Sequence, residues 1–219
     1  KSKTILIYFF LLIVLGSINN TTLNEIRISK VKNISISGLD GIAKKKLLED
    51  LNNLNLKNIF FLNTDEIKNL IESNSLVDKY KITKKYPYSI GIQIKKTSFL
   101  AQINLNGSTF VIGNNGKLSN EHFSKIDLPY IFGKPKINEF LEIKKIIDES
   151  KIEYQKIKSL FYFQSKRWDI KLKNGILIKL PNNFKKENLD TIILFLADKN
   201  LDKIRIIDAR IKNQIIINE

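Results

Sequence analysis

Residues 4–18 form one uninterrupted apolar run, and no other feature so limits how the rest of the chain can be arranged. Lys1-Ser2-Lys3 precedes Thr4-Ile-Leu-Ile-Tyr-Phe-Phe-Leu-Leu-Ile-Val-Leu-Gly-Ser-Ile18, which carries no charge. Ile, Leu, Phe and Val each favour membrane insertion by about 0.3–0.6 kcal/mol. The lysines in front keep the N-terminus cytoplasmic and send the remaining chain across the membrane. A buried core helix is the competing reading. The flanking lysines and the lack of a polar face weigh against it.

About fifteen helical residues span about 22 Å, short of a hydrocarbon core of about 30 Å. That length also suits the apolar part of a signal peptide. No Ala-x-Ala-like site follows, and Val14-Leu15-Gly16 is a weak substitute. Asn19–Leu23 in the interface, or residues before Lys1, would lengthen the span. These points favour an uncut anchor over residues 1–23, then a polar juxtamembrane linker over 24–30.

The net charge of +15 is almost entirely Lys; the arginines are Arg27, Arg167, Arg205 and Arg210. The lysines are spread evenly among abundant Ile and Asn, as codon-level bias would leave them. Base readout and bidentate phosphate contact favour Arg, and export removes the chain from cytoplasmic nucleic acid. No nucleic-acid partner is therefore expected. A basic surface near anionic headgroups still gains about 1 kcal/mol per well-placed Lys.

With no Cys, thiol catalysis and Cys-based metal sites are excluded. The single His122, in Asn120-Glu121-His122-Phe123, cannot build a His-rich zinc site, and no nucleophile-elbow motif accompanies it. Acidic residues lie beside lysines, as in Glu142-Ile-Lys-Lys145, in the pattern of i,i+3 surface pairs. No catalytic residue, metal or cofactor is expected.

Beyond the linker the period changes. Val31-Lys-Asn-Ile34-Ser-Ile36-Ser alternates and ends at Gly38, as a short strand does. Leu47, Leu48, Leu51 and Leu54 predict a helix over 43–54. Thr64 is placed to cap a second helix through Ile67, Leu70 and Ile71. Leu76–Ile82 and Ile90–Ile94 alternate on either side of Pro87. This first unit, 31–97, reads strand, helix, helix, strand, strand, a layer of two helices on a three-stranded sheet. The second, 98–219, is richer in strands: 99–103, 109–112, 157–163, 168–172, 176–180, 203–207 and 214–217. Helices are predicted over 138–152 and 185–196, and 126–135 reads as a loop.

Four strings, in order behind one apolar segment, resemble the FtsQ/DivIB cell-division family. Val31-Lys-Asn-Ile-Ser-Ile-Ser-Gly38 is similar to the first strand of a polypeptide-transport-associated (POTRA) domain. Val77-Asp-Lys-Tyr-Lys-Ile-Thr-Lys-Lys-Tyr-Pro87-Tyr-Ser-Ile-Gly-Ile-Gln-Ile94 resembles its hairpin. Arg167-Trp168-Asp-Ile-Lys-Leu-Lys-Asn-Gly175-Ile-Leu-Ile-Lys-Leu-Pro181 resembles a hairpin of the β domain, and Ile206-Ile207-Asp208-Ala209-Arg210 its penultimate V-D-L-R strand. After the POTRA hairpin the family often has Glu-Arg-x-Pro-x-Ala. This chain instead has Lys95-Lys96-Thr97-Ser98-Phe99-Leu100-Ala101, without the acid or the proline.

The resemblance implies an α+β architecture: an N-terminal transmembrane helix, a POTRA domain (β-α-α-β-β), and a mixed β-rich domain with two helices. It implies a scaffold and not an enzyme, single-pass in the inner membrane, N-terminus cytoplasmic and bulk periplasmic, at the division septum. It would hold FtsB (DivIC) and FtsL-like proteins and through them license septal peptidoglycan synthesis. Other division proteins would dock on the POTRA unit through its exposed sheet edge, where the hairpin Val77–Ile94 is the one segment singled out. The last strand, Gln214-Ile215-Ile216-Ile217-Asn218, has one neighbour unless the chain returns to cover it, so its free N–H and C=O groups offer a template for a partner strand. In the family, arginines near this edge pair with partner carboxylates. Arg210 takes that place by motif, then Arg167, with Asp208 orienting Arg210 and Trp168 in the core. Ile215, Ile216 and Ile217 would equally suit a buried strand. The rival readings are an outer-membrane assembly or secretion POTRA protein, an exported enzyme, and a lipid-shuttling protein built on one continuous curved sheet.

Overall fold

The computed structural model describes residues 2–18, 30–54, 56, 59–120, 127–197, 204–211 and 214–218. His122 and the linker residues 24–29 lie outside them. The chain divides into two compact units, Lys1–Asn74 with Lys79–Lys95, and Ser75–Asp78 with Lys96–Glu219.

The first unit opens with helix α1, Ser2–Ile18. Its 17 residues measure about 25 Å at 1.5 Å each. Ile5, Leu6, Phe9, Phe10 and Leu12 are exposed on it. No helix among the described residues is long and apolar enough to cross a membrane.

The order then follows the sequence pattern: β1 (Asn33–Ser37), α2 (Gly41–Asn53), α3 (Asp65–Ser73), β2 (Val77–Lys85) and β3 (Ser89–Lys96). The sheet order is β1-β3-β2, and β1 runs parallel to β3 from Asn33↔Ser89 to Ser37↔Gln93. The i,i+4 pairs Leu47/Leu51 on α2 and Ile67/Ile71 on α3 are buried, as are Ile36, Ile90 and Ile92 on the strands. Each such side chain contributes about 1.5–3 kcal/mol by leaving water. Thr64 holds the N-cap position of α3 but makes no side-chain cap bond; the Asp65 N–H donates instead to Asn63 Oδ1 at 2.9 Å. Gly38 closes β1 at φ +88, where an added Cβ would lie 1.8 Å from the Ile94 carbonyl oxygen. Only glycine fits that approach.

The second unit contains β4 (Phe99–Leu105), β5 (Ser108–Gly113), β6 (Leu118–Ser119), β7 (Tyr130–Phe132), α4 (Ile137–Glu149), β8 (Ile157–Tyr162), β9 (Trp168–Leu172), β10 (Leu177–Lys179), α5 (Lys186–Leu196), β11 (Ile206–Asp208) and β12 (Ile216–Asn218). They form one sheet in the order β12-β11-β10-β9-β8-β7-β4-β5-β6. Two strands depart from the sequence pattern. β6 extends the β5 hairpin, and β7 lies within the stretch that reads as a loop. β7 pairs in parallel with both β4 and β8, so it is a central strand despite its three residues.

One face of this sheet is a continuous row, Ile207, Ile178, Ile170, Leu160, Ile131 and Ile103, paired directly from β11 to β4. All are at most 1% exposed, and with Phe140, Ile143, Ile147, Leu189 and Ile192 of the two helices they form one core. Trp168 belongs to the same core, its ring 4.8 Å from that of Tyr162. Among the described residues the chain is thus α+β with two sheets, not one continuous curved sheet.

Candidate functional site

β12 occupies one edge of the large sheet. It pairs antiparallel with β11 through Ile206↔Asn218, Ile207↔Ile217 and Asp208↔Ile216, and the Arg205 N–H donates to the Asn218 carbonyl at 3.0 Å. Among the described residues β12 has no other strand neighbour. Successive strand residues face opposite sides. Ile216 is 52% exposed and Ile217 46%, so both faces of the strand are open. The buried-strand reading fails for Ile216 and Ile217, and Ile215, just before β12, is half-buried against the core.

A cross-strand row on the face opposite the core organises the charges. Ile216 opposes Asp208, Asp208 opposes Lys179, and Lys179 opposes Asp169. Directly opposed residues share a face, so an ammonium stands between two carboxylates that are two strand spacings, about 10 Å, apart. Each carboxylate holds one of the arginines that the sequence singles out. Arg210 donates through Nε to Asp208 Oδ1 at 2.8 Å and through Nη2 to Oδ2 at 2.6 Å. Its backbone N–H adds a bond of 3.1 Å to Oδ1. Arg167 donates through Nε to Asp169 Oδ1 at 3.2 Å, and its guanidinium lies 4.2 Å from the Phe163 ring centre. Arg167 is the more enclosed of the two, at 21% side-chain exposure against 45% for Arg210. A guanidinium carries five N–H donors, so among the described residues donor capacity remains on Nη1 of Arg210.

Arg210, Gln214 and Ile215 line a groove of about 490 Å³ with Ile211, Asn188 and Thr191. The structure therefore gathers Arg210, Gln214, Ile215, Ile216, Ile217 and Asn218 at one edge. Arg167, directly before β9, stands three strands inward of β12, linked to them through the charged row. Asp169, Lys179 and the α5 residues Asn188 and Thr191 escape the sequence reading. The i,i+2 spacing of Arg167/Asp169 and of Asp208/Arg210 was the available signal, because an arginine just outside a strand end reaches a carboxylate at that end.

The two carboxylates titrate in opposite directions. Hydrogen bonds from Arg210 hold Asp208 below its ordinary 3.8. Burial pushes Asp169 above 3.8, against the opposing pull of Arg167. The Asp208 pair therefore adds stability that is complete above the unfolded value and lost as pH falls through the lowered folded one. Asp169 runs the other way: its buried charge costs stability at neutral pH, and the cost is relieved as pH falls through a value above 3.8. Carboxyl-carbon NMR titration is expected to place Asp208 below and Asp169 above that ordinary value, and Arg210→Ala to move Asp208 upward. An unmoved Asp208 would mean that the guanidinium fork is not formed.

Comparisons with known proteins cover both units. Residues 29–96 match the model described as POTRA domain, FtsQ-type, and residues 96–210 the model described as cell division protein FtsQ/DivIB, C-terminal. β12 lies beyond the second matched stretch. The chain is 27% identical over 204 residues to the cell division protein FtsQ of Rickettsia bellii, covering 87% of this chain and 72% of that protein. It is 26% identical over 178 residues to the cell division protein DivIB of Clostridium tetani, covering 79% and 66%.

Proposed function

The chain belongs to the FtsQ/DivIB family of cell-division proteins, and from that premise we propose that it is a membrane-tethered divisome scaffold that captures a partner strand along β12. α1 is the tether, with the N-terminus cytoplasmic and both folded units in the periplasm at the septum. A helix a few Å shorter than the hydrocarbon core is accommodated by local thinning, at fractions of a kcal/mol per Å. The partners are FtsB (DivIC) and FtsL-type proteins, and their capture licenses septal peptidoglycan synthesis. Catalysis is no part of this role.

The observation that carries the reading is the edge strand, open among the described residues, with two exposed isoleucines. A partner strand beside β12 forms about three or four backbone bonds at a net 0.5–1.5 kcal/mol each, roughly 2–6 kcal/mol before ordering costs. Ile216 and Ile217 add apolar contact on both faces. Arg210, pre-set by Asp208, offers its remaining donors to an acidic side chain of the partner, which fixes register and partner choice. The groove lined by Gln214, Ile215 and α5 takes a side chain flanking that strand.

The test is co-purification of the full chain with its FtsB-type partner. Arg210→Glu is expected to abolish it, because a carboxylate beside Asp208 repels the partner's acid. Near-ultraviolet circular dichroism from Trp168 is expected to stay unchanged. Undiminished co-purification would reject the edge as the partner site.

A further inference from the structure

The turn between β2 and β3 carries an exposed aromatic cluster that the partner edge does not use. The Tyr86 ring stacks on Phe60 at 4.9 Å. Tyr86 is 59% exposed, Phe60 54% and the adjacent Phe61 85%. Lys32 Nζ lies 5.7 Å from the Tyr88 ring centre. Lys84 Nζ donates to the Leu62 carbonyl at 3.2 Å, which brings a second ammonium to the Phe60–Phe61 segment. Lys30 and Lys85 are exposed beside them. Of the two acids in the first turn of α3, Asp65 is engaged by Lys68 at 3.0 Å and Glu66 is exposed. Clustered exposed rings of this kind mark contact surfaces.

Topology sets where that surface lies. The parallel pairing of β1 with β3 begins at Asn33↔Ser89, and the Lys32 N–H donates to the Tyr88 carbonyl at 2.9 Å. The aromatic turn is therefore at the end of the small sheet where the chain arrives from α1. The intervening residues 19–29 reach at most about 40 Å even if fully extended. Tyr and Phe rings beside lysines match the chemistry of an anionic bilayer surface: amphipathic rings at headgroup level, ammonium groups on the phosphates. We propose that the Tyr86–Tyr88 turn, with Phe60, Phe61, Lys30, Lys32, Lys84 and Lys85, docks the first unit onto anionic lipid headgroups. This rests on α1 being the tether.

The chain has no Cys, so Phe61→Cys takes one environment-sensitive dye without disturbing the core. Gln93→Cys, farther along β3, serves as the comparison position. The full chain is reconstituted into discs of phosphatidylcholine alone and into discs with about one-third phosphatidylglycerol, where each surface lysine gains about 1 kcal/mol, or about fivefold. The expected result is a blue shift and quenching by spin-labelled lipid at position 61, in anionic discs only and not at position 93. High salt, or the combined Lys32→Glu, Lys84→Glu and Lys85→Glu changes, reverses it. A dye at position 61 that stays in water in both discs overturns the docking and leaves the tether standing. An equal response in neutral and anionic discs overturns the assignment to lipid charge. A chain that does not float with the discs overturns tether and docking together.

Discussion

Proline at Ile216 and proline at Ile217 are each expected to abolish capture of the FtsB-type partner. Backbone N–H groups alternate along a strand, so in β12 one of these two donates toward β11 and the other faces outward. Proline at the outward position removes a donor that a partner strand needs, and its ring intrudes where that strand would lie. One lost bond and one unsatisfied acceptor on the partner together cost about 2–4 kcal/mol, which weakens binding about thirty- to eight-hundredfold. Proline at the inward position loosens β12 itself and removes the template. The two variants are expected to differ in thermal stability: the outward one matches the parent chain, because an edge N–H facing water contributes nothing to the intrachain ladder. Titration calorimetry with the purified partner reads the binding, and thermal unfolding separates the two positions. Full affinity in both would place the partner elsewhere.

Phe140→Ala is expected to cost about 3–5 kcal/mol, a large part of the 5–15 kcal/mol that holds a domain together. Phe140 is 0% exposed on α4 and joins the core of Ile103, Ile131 and Leu160. Truncation opens a cavity between helix and sheet that neighbouring β-branched side chains fill poorly. Trp168 is the only tryptophan and lies in that same core, so urea unfolding followed by its fluorescence reports the second unit alone. A loss below about 1 kcal/mol would mean that α4 does not pack on the sheet as described. Capture at β12 is expected to weaken in parallel, since β11 is held by Ile207 in the same core.

Long periodic segments were readable because their burial repeats. Leu47/Leu51 and Ile67/Ile71 mark helical faces, and Ile90/Ile92 marks a strand paired on both sides. β7 was not readable: Tyr130-Ile131-Phe132 is too short to show a period, and its centrality comes from parallel partners in β4 and β8. The strand order was hidden for the same reason, since nothing local to 216–218 states that β11 is its neighbour. At the edge, motif position drew attention to Arg210, and its pairing with the i,i+2 Asp208 was legible beside it. Asp169 was not recognised, because the pairing of β9 with β10 and β11 is what brings it into the row with Asp208. The exposure of Ile217 also defied the alternation rule. It opposes Ile207 of the core row, yet on the edge strand it is 46% exposed. The proposed partner class rests on the family strings, since no local chemistry in the chain encodes it.

Amide hydrogen exchange over Gln214–Asn218, with and without the FtsB-type partner, tests strand capture most directly. The account predicts new protection at the outward-facing amides of β12 on binding, with Leu118–Ser119 at the opposite edge unchanged. Exchange at 214–218 that is identical in the free and bound chain, with protection rising elsewhere, would contradict it.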